Sequence, residues 1–206
     1  MSSARSIRRA GDRAVLVELD GNDAVQRLVA GLEVRRDEAL EDVVPGHETV
    51  LLVWREGTPP IEAIEQLISS ADLTTEASAQ PVEIELCVRY DGPDLAAAAE
   101  GCGFSPEELV TRHLACRYRV GFIGFSPGFA YLLGGDPVLQ PPRLAEPRTR
   151  VPAGALAIAG PYSAVYPRSS PGGWNLIGSC DEPIFDTAKE PPALLAAGNF
   201  VRLVAK

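Results

Sequence analysis

The residues best suited to chemistry lie between Gly121 and Gly178. Gly124-Phe125-Ser126-Pro127-Gly128-Phe129 and Ser170-Pro171-Gly172-Gly173-Trp174 fall in this stretch, with Arg143, Arg148 and Arg150 in a Pro-rich segment between them. Pro presets φ and Gly admits positive φ, so each Ser-Pro-Gly reads as a tight turn, closely followed by an aromatic residue. Two shaped loops beside aromatic walls predict a pocket. A guanidinium can fork onto a carboxylate or phosphate, so Arg143 and Arg148 fit an anionic ligand. They fit equally a partner-facing charged loop in which Glu146 pairs locally. The candidate substrate-binding residues are therefore Phe125, Ser126, Gly128, Phe129, Arg143, Arg148, Gly172, Gly173 and Trp174.

Catalytic groups are harder to assign. Gly124 to Gly128 matches the G-x-S-x-G nucleophile elbow, but the oxyanion hole of that motif uses the N–H of the residue after the serine. Here that residue is Pro127, which has none, and both histidines, His47 and His113, precede the serine. Ser126 is expected to serve a turn, its hydroxyl available to a ligand or to its own backbone. His113 is a weak catalytic candidate; it falls beside Leu109 and Val110 on a helical wheel, and burial as a hydrogen-bonded structural residue competes with acid-base work. No P-loop occurs, and the only lysines are Lys189 and Lys206, so an ATP cradle would have to come from elsewhere. Cys87, Cys102, Cys116 and Cys180 form no C-x-x-C pair, and with two histidines available no metal site is expected. Tyr118, Phe125, Phe129, Tyr131, Tyr166 and Trp174 could line a ligand cavity or fill a barrel core; Trp174 is the best ligand candidate because Gly172 and Gly173 precede it.

The elements that must position these residues fall into two groups. Ile7 to Ala10 and Ala14 to Leu19 read as strands around a Gly11-Asp12 turn, and Val25, Leu28, Val29 and Leu32 form a helical stripe behind an Asn22 cap. The order then repeats, with strands Leu40 to Val44 and Thr49 to Arg55 around Pro45-Gly46. A helix carrying Ile61, Ile64, Leu67 and Ile68 follows, opened by Pro59-Pro60. Two β-β-α units predict a small α+β sandwich over residues 1–80. The aperiodic run Asp72 to Pro81 reads as a linker, with the boundary near Gln80. Beyond it, Val82, Ile84, Leu86 and Val88 alternate with polar neighbours as in a half-buried strand, and Ser105-Pro106-Glu107-Glu108 opens a helix carrying His113. Short apolar runs (Val120 to Ile123, Leu156 to Ala159, Ala164 to Tyr166, Trp174 to Ile177, Phe200 to Val204) predict a β-barrel over residues 81–206.

Composition narrows the partners. The 206-residue chain carries 19 basic against 28 acidic residues, a formal charge of -9, which disfavours nucleic-acid binding by the surface as a whole. No 18-residue apolar span occurs, and the basic start at Arg5, Arg8, Arg9 and Arg13 lacks an adequate apolar h-region. A cytoplasmic protein with no membrane partner is expected.

Together the motifs resemble one bacterial family. Gly11-Asp12-Arg13-Ala14-Val15-Leu16, His113 in its helix, Gly124 to Leu132, Pro142-Arg143, Pro147-Arg148, Val151 to Gly154, Tyr166-Pro167, Ser170 to Trp174 and Leu176 to Gly178 are similar to the pattern of the 5-oxoprolinase B subunit family, also called KipI or allophanate hydrolase subunit 1. That family is similar to subdomains C and D of biotin-dependent carboxyltransferases. The resemblance implies a cyclophilin-like barrel after the α/β domain. It implies a heteromeric, ATP-hydrolysing complex that converts 5-oxo-L-proline to L-glutamate, with a homologous barrel protein (KipA, the C subunit of 5-oxoprolinase) and an A subunit as partners. It also leaves open inhibition of a sensor histidine kinase, or a carboxyltransferase or allophanate hydrolase role in urea metabolism. ATP is then expected at the level of the complex, a chain on its own should be inactive, and no biotin attachment site is present in this chain. Asp91-Gly92-Pro93-Asp94 is shorter than the family's Gly-rich loop, which leaves ligand contacts near Asp94 unsupported, and Ala130 stands where Pro is frequent.

Overall fold

The computed structural model describes residues 4–34, 38–71 and 82–206. The chain forms two compact units, Met1–Pro81 and Val82–Lys206. The expected linker Asp72 to Pro81 and its boundary at Gln80 lie outside the described residues.

The first unit runs β1 (Ser6–Arg9), β2 (Ala14–Glu18), α1 (Asn22–Val34), β3 (Leu40–Pro45), β4 (Thr49–Trp54) and α2 (Ile61–Ser70). Its strands form an antiparallel sheet in the order β1-β2-β4-β3. The period-2 pattern of β4 explains its place at the centre: Val50, Leu52 and Trp54 are buried while Thr49, Leu51 and Val53 are half-buried. Val25, Leu28 and Leu32 of α1 and Ile64 and Ile68 of α2 complete that core at helical spacing. The side-chain amide of Asn22 donates to the carbonyls of Gly46 (3.2 Å) and His47 (3.1 Å), tying the start of α1 to the β3–β4 turn.

The second unit begins with β5 (Glu83–Arg89), α3 (Leu95–Gly101), α4 (Pro106–Ala115), β6 (Arg117–Ile123) and β7 (Ala130–Leu133). It continues with β8 (Arg148–Val151), β9 (Ala155–Ala159), β10 (Tyr162–Val165), β11 (Ser170–Gly172), β12 (Asn175–Cys180) and β13 (Phe200–Ala205). Seven of these close a barrel in the order β10-β7-β6-β13-β5-β12-β9, and β8 pairs with β11 as a separate two-stranded ribbon. The protein is thus α+β, an α/β unit followed by a closed β-barrel. Strand β5 buries Leu86 and Val88 as the alternation requires, whereas Val82 precedes it and is exposed.

Alternation along β9 separates two cores. Leu156 and Ile158 face the lumen with Leu86, Val88, Val120, Leu132, Val165 and Val201, and Ala98, Ala99 and Leu109 of the two helices join them. Ala155, Ala157 and Ala159 face the other way, beneath a layer of aromatic side chains. The small alanines leave room on the outer wall for that layer. Helix α4 starts as the sequence predicts: Ser105 Oγ accepts from the Glu108 N–H at 3.2 Å, with Pro106 in the first turn. The Glu108 carboxylate turns to Arg112 instead of back to the cap.

Candidate functional site on the outer barrel wall

Of the two Ser-Pro-Gly segments, only the first is a turn. The Phe129 N–H donates to the Ser126 carbonyl at 3.0 Å with Gly128 at φ 77°, a conformation that favours glycine. A β-carbon at Gly128 would also meet Phe185 at 2.6 Å. The Ser126 N–H donates to the Gly124 carbonyl at 2.7 Å, and the residue between them, Phe125, sits at φ 64°. This is a γ-turn with a left-handed centre, a strained conformation for an aromatic residue. Phe125 is nevertheless 63% exposed.

Ser170-Pro171-Gly172 corrects the expectation of a second turn. It is extended as β11 and pairs with β8, Ser170 opposite Val151 and Gly172 opposite Arg148, with a bulge between. Pro is accommodated because the ribbon is two-stranded and leaves an edge that needs no donor. Gly172 is glycine because a β-carbon there would collide with the Tyr166 hydroxyl, so a protein side chain occupies the close approach expected of a ligand. Gly173 has room, its nearest contact being Pro147 at 3.6 Å.

Phe129 anchors the aromatic layer. Its ring meets Tyr131 and Tyr166 edge-on at 5.1 Å, Phe125 at 5.3 Å and Trp174 at 5.6 Å. Tyr162 stacks on Trp174, and Phe122 on Tyr131. Such pairs exceed area burial alone by about 0.5–1.5 kcal/mol each, so the layer is rigid as well as apolar. Tyr118 is not part of it; it lies in the lumen core.

Both predicted arginines reach this layer, by different routes. Arg143 is exposed, its guanidinium carbon 5.9 Å from the Trp174 ring centre. The loop that carries it is fixed on either side: the Asn175 side-chain amide donates to the Pro142 carbonyl at 2.8 Å, and the Leu144 N–H donates to the Gly173 carbonyl at 2.7 Å. Arg148 opens β8, and its Nη2 donates to Asp94 Oδ1 at 2.6 Å. Asp94 Oδ2 accepts from the Leu176 N–H at 2.7 Å. The pairing of Asp94 with Arg148 is what the sequence does not signal, since the two lie 54 positions apart. The arginine keeps an unspent donor: Arg148 Nη1 is buried without a hydrogen-bond partner, as are Ser126 Oγ and Ser170 Oγ. Burial raises the Tyr131 and Tyr166 hydroxyl pKa values; Arg143 opposes this at both, and Arg148 at Tyr166. The aromatic layer thus lies within the electrostatic reach of two guanidinium groups.

His113 stands elsewhere, on the lumen side, 2% exposed. Its Nδ1 lies 2.8 Å from the Tyr90 hydroxyl and its Nε2 2.8 Å from Ser163 Oγ. Burial lowers its pKa to about 3, so at neutral pH it is an uncharged imidazole. The histidine is buried and hydrogen-bonded on both ring nitrogens, to Tyr90 and Ser163.

The family model for the carboxyltransferase domain, subdomains C and D, matches residues 5–195, and the chain belongs to that family. Among curated relatives, the B subunit of 5-oxoprolinase from Escherichia coli O157:H7 is 37% identical over 202 residues, covering 94% of this chain and 93% of the relative. Among solved structures, TTHA0988 superposes with a TM-score of 0.80 at 32% identity over 94% of this chain, which spans 40% of that longer chain. The urea amidolyase of Kluyveromyces lactis shares the fold, with a TM-score of 0.75 at 17% identity; the match covers 97% of this chain and 15% of that one.

Proposed function

We propose that this chain is the B subunit of an ATP-dependent 5-oxoprolinase and holds 5-oxo-L-proline on the outer barrel wall. The observation that carries the reading is the approach of Arg143 and Arg148 to one aromatic layer. A carboxylate on a flat lactam ring suits that combination: guanidinium donors bind the carboxylate and an aromatic face packs on the ring. The Arg148 Nη1 donor, buried and unpaired, gains most from an anionic acceptor. The relatives that are 5-oxoprolinase B subunits support the choice of substrate.

Ring opening is coupled to ATP in this reading, and the chain has no P-loop to cradle a triphosphate. The ATP site and the hydrolytic groups then belong to the assembled complex with a homologous barrel protein, the C subunit, and with an A subunit. This chain contributes binding and orientation. We place the complex in the cytoplasm; among the described residues no helix is long and apolar enough to cross a membrane.

Co-expression with both partners tests the proposal. Glutamate release from 5-oxoproline should require ATP, the partners and this chain together. Turnover by the homogeneous chain alone, or full turnover by the partners without it, would overturn it.

A further inference from the structure

A cavity of about 110 Å3 opens beside the His113 network, away from the arginines. It is lined by His113, Ser163, Tyr118, Asp136 and the Gly134-Gly135 backbone, among other residues. We propose that it is a second ligand site, taking a small neutral amide whose carbonyl accepts from the Ser163 hydroxyl and whose N–H groups donate to Asp136.

The polarity of the hydroxyl follows from the network behind it. A neutral imidazole has one donor and one acceptor nitrogen. A phenol is the better donor of the Tyr90–His113 pair, so the Tyr90 O–H donates to Nδ1. Nε2 then carries the hydrogen and donates to Ser163 Oγ. The Ser163 hydrogen is left to turn either to the Tyr118 oxygen or to a carbonyl in the cavity. Tyr118 is tied back, its hydroxyl donating to the His113 carbonyl at 3.0 Å.

The opposite requirement, an acceptor for N–H, falls to Asp136. Its carboxylate is fixed by Arg112 Nη1 at 3.0 Å on one oxygen and by the Val138 N–H at 3.1 Å on the other. Each oxygen keeps a further lone pair. Arg112 is shared between Asp136 and Glu108, and His113 is neutral, so the described wall has no free cation to hold an anion. Gly134 has φ 92°, and a β-carbon there would meet the Arg117 carbonyl at 3.0 Å, which keeps this wall bare of side chains. Size sets the remaining limit. A cavity of about 150 Å3 admits benzene, so the recess here takes roughly four or five non-hydrogen atoms, fewer than 5-oxoproline has.

The test is a titration of the intact 15N-labelled chain with acetamide, and separately with acetate and ethylammonium, followed by amide chemical shifts. Saturable shifts at Gly134, Gly135 and Ser163 with acetamide, and not with the charged probes, are expected. Ser163→Ala should weaken acetamide binding about tenfold, the loss of one hydrogen bond. Absence of saturable shifts, equal response to acetate or ethylammonium, or unchanged affinity in Ser163→Ala would overturn the proposal. If that variant does not fold, the three probes on the native chain still decide. Because the readout is binding to the chain alone, it is independent of whether the assembled complex opens 5-oxoproline.

Discussion

Removing the Asp94 carboxylate should damage the barrel unit more than its position at the head of a short helix suggests. In Asp94→Ala, two contacts disappear at once: the 2.6 Å pair with Arg148 Nη2 and the 2.7 Å acceptor for the Leu176 N–H. The side chains are 13% exposed at Asp94 and 30% at Arg148, so water replaces them only in part. The guanidinium, which already carries one buried unpaired nitrogen, would then have no carboxylate. Breaking a buried pair from one side costs about 3–5 kcal/mol; discounting for the partial exposure of Arg148 leaves about 3 kcal/mol. For a unit of this size that corresponds to a fall in Tm of roughly 10 °C. Calorimetry on Asp94→Ala, Arg148→Met and the double variant gives the answer. The double variant should recover part of the loss, because it no longer buries a lone charge. A fall of less than about 2 °C in Asp94→Ala would show that the pair is not a buried one in energetic terms.

Single contacts set three further expectations. Gly172→Ala should lower stability by about 1–3 kcal/mol in urea unfolding by displacing the Tyr166 hydroxyl, while Gly173→Ala, with its nearest contact at 3.6 Å, should stay within about 0.5 kcal/mol of the native chain. Because the folded pKa of His113, about 3, lies below its unfolded value, the unfolded state binds the proton first. Stability from this residue is therefore full above about pH 6.5 and is lost as pH falls toward 3, by about 2–3 kcal/mol between pH 6.5 and 4. Carboxylates with lowered pKa such as Asp136 act in the same direction, so the difference in slope between the native chain and His113→Gln in urea unfolding isolates the histidine. Phe125→Gly should be neutral or stabilising by up to about 1 kcal/mol by the same method, since glycine relieves the φ 64° strain and Phe125 buries little; marked destabilisation would show that the γ-turn is not strained.

Local patterns carried the fold a long way. The stripe on α2, the alternation of β4 and the Ser105 cap each read directly, because neighbours in sequence decide them. Strand β7 is only four residues long and directly follows the Ser126 turn, so no run of sufficient length marked it. Helix α3, Leu95 to Gly101, is mostly alanine and lacks an amphipathic stripe. Ser170-Pro171-Gly172 misled because turn residues also suit a bulged edge strand, and the pairing with β8 settles the matter only in three dimensions. The same limit applies to the site. Arg143, Arg148, Phe129 and Trp174 were visible as residue types, but the Asp94 partner of Arg148 and the Ser163 and Tyr90 partners of His113 are tertiary neighbours that no spacing reveals.

The most direct measurement is the KM for 5-oxoproline of the reconstituted complex carrying Arg143→Ala, with Arg55→Ala in the other unit as control. Arg143 makes no ion pair among the described residues and lies near the Trp174 ring, so its removal should spare assembly and folding. KM should rise about tenfold or more, the loss of a charge-assisted hydrogen bond, with Tm and partner binding close to native and Arg55→Ala unchanged. An unchanged KM in Arg143→Ala, with ATP-dependent glutamate release intact, would contradict the claim that this wall holds the substrate.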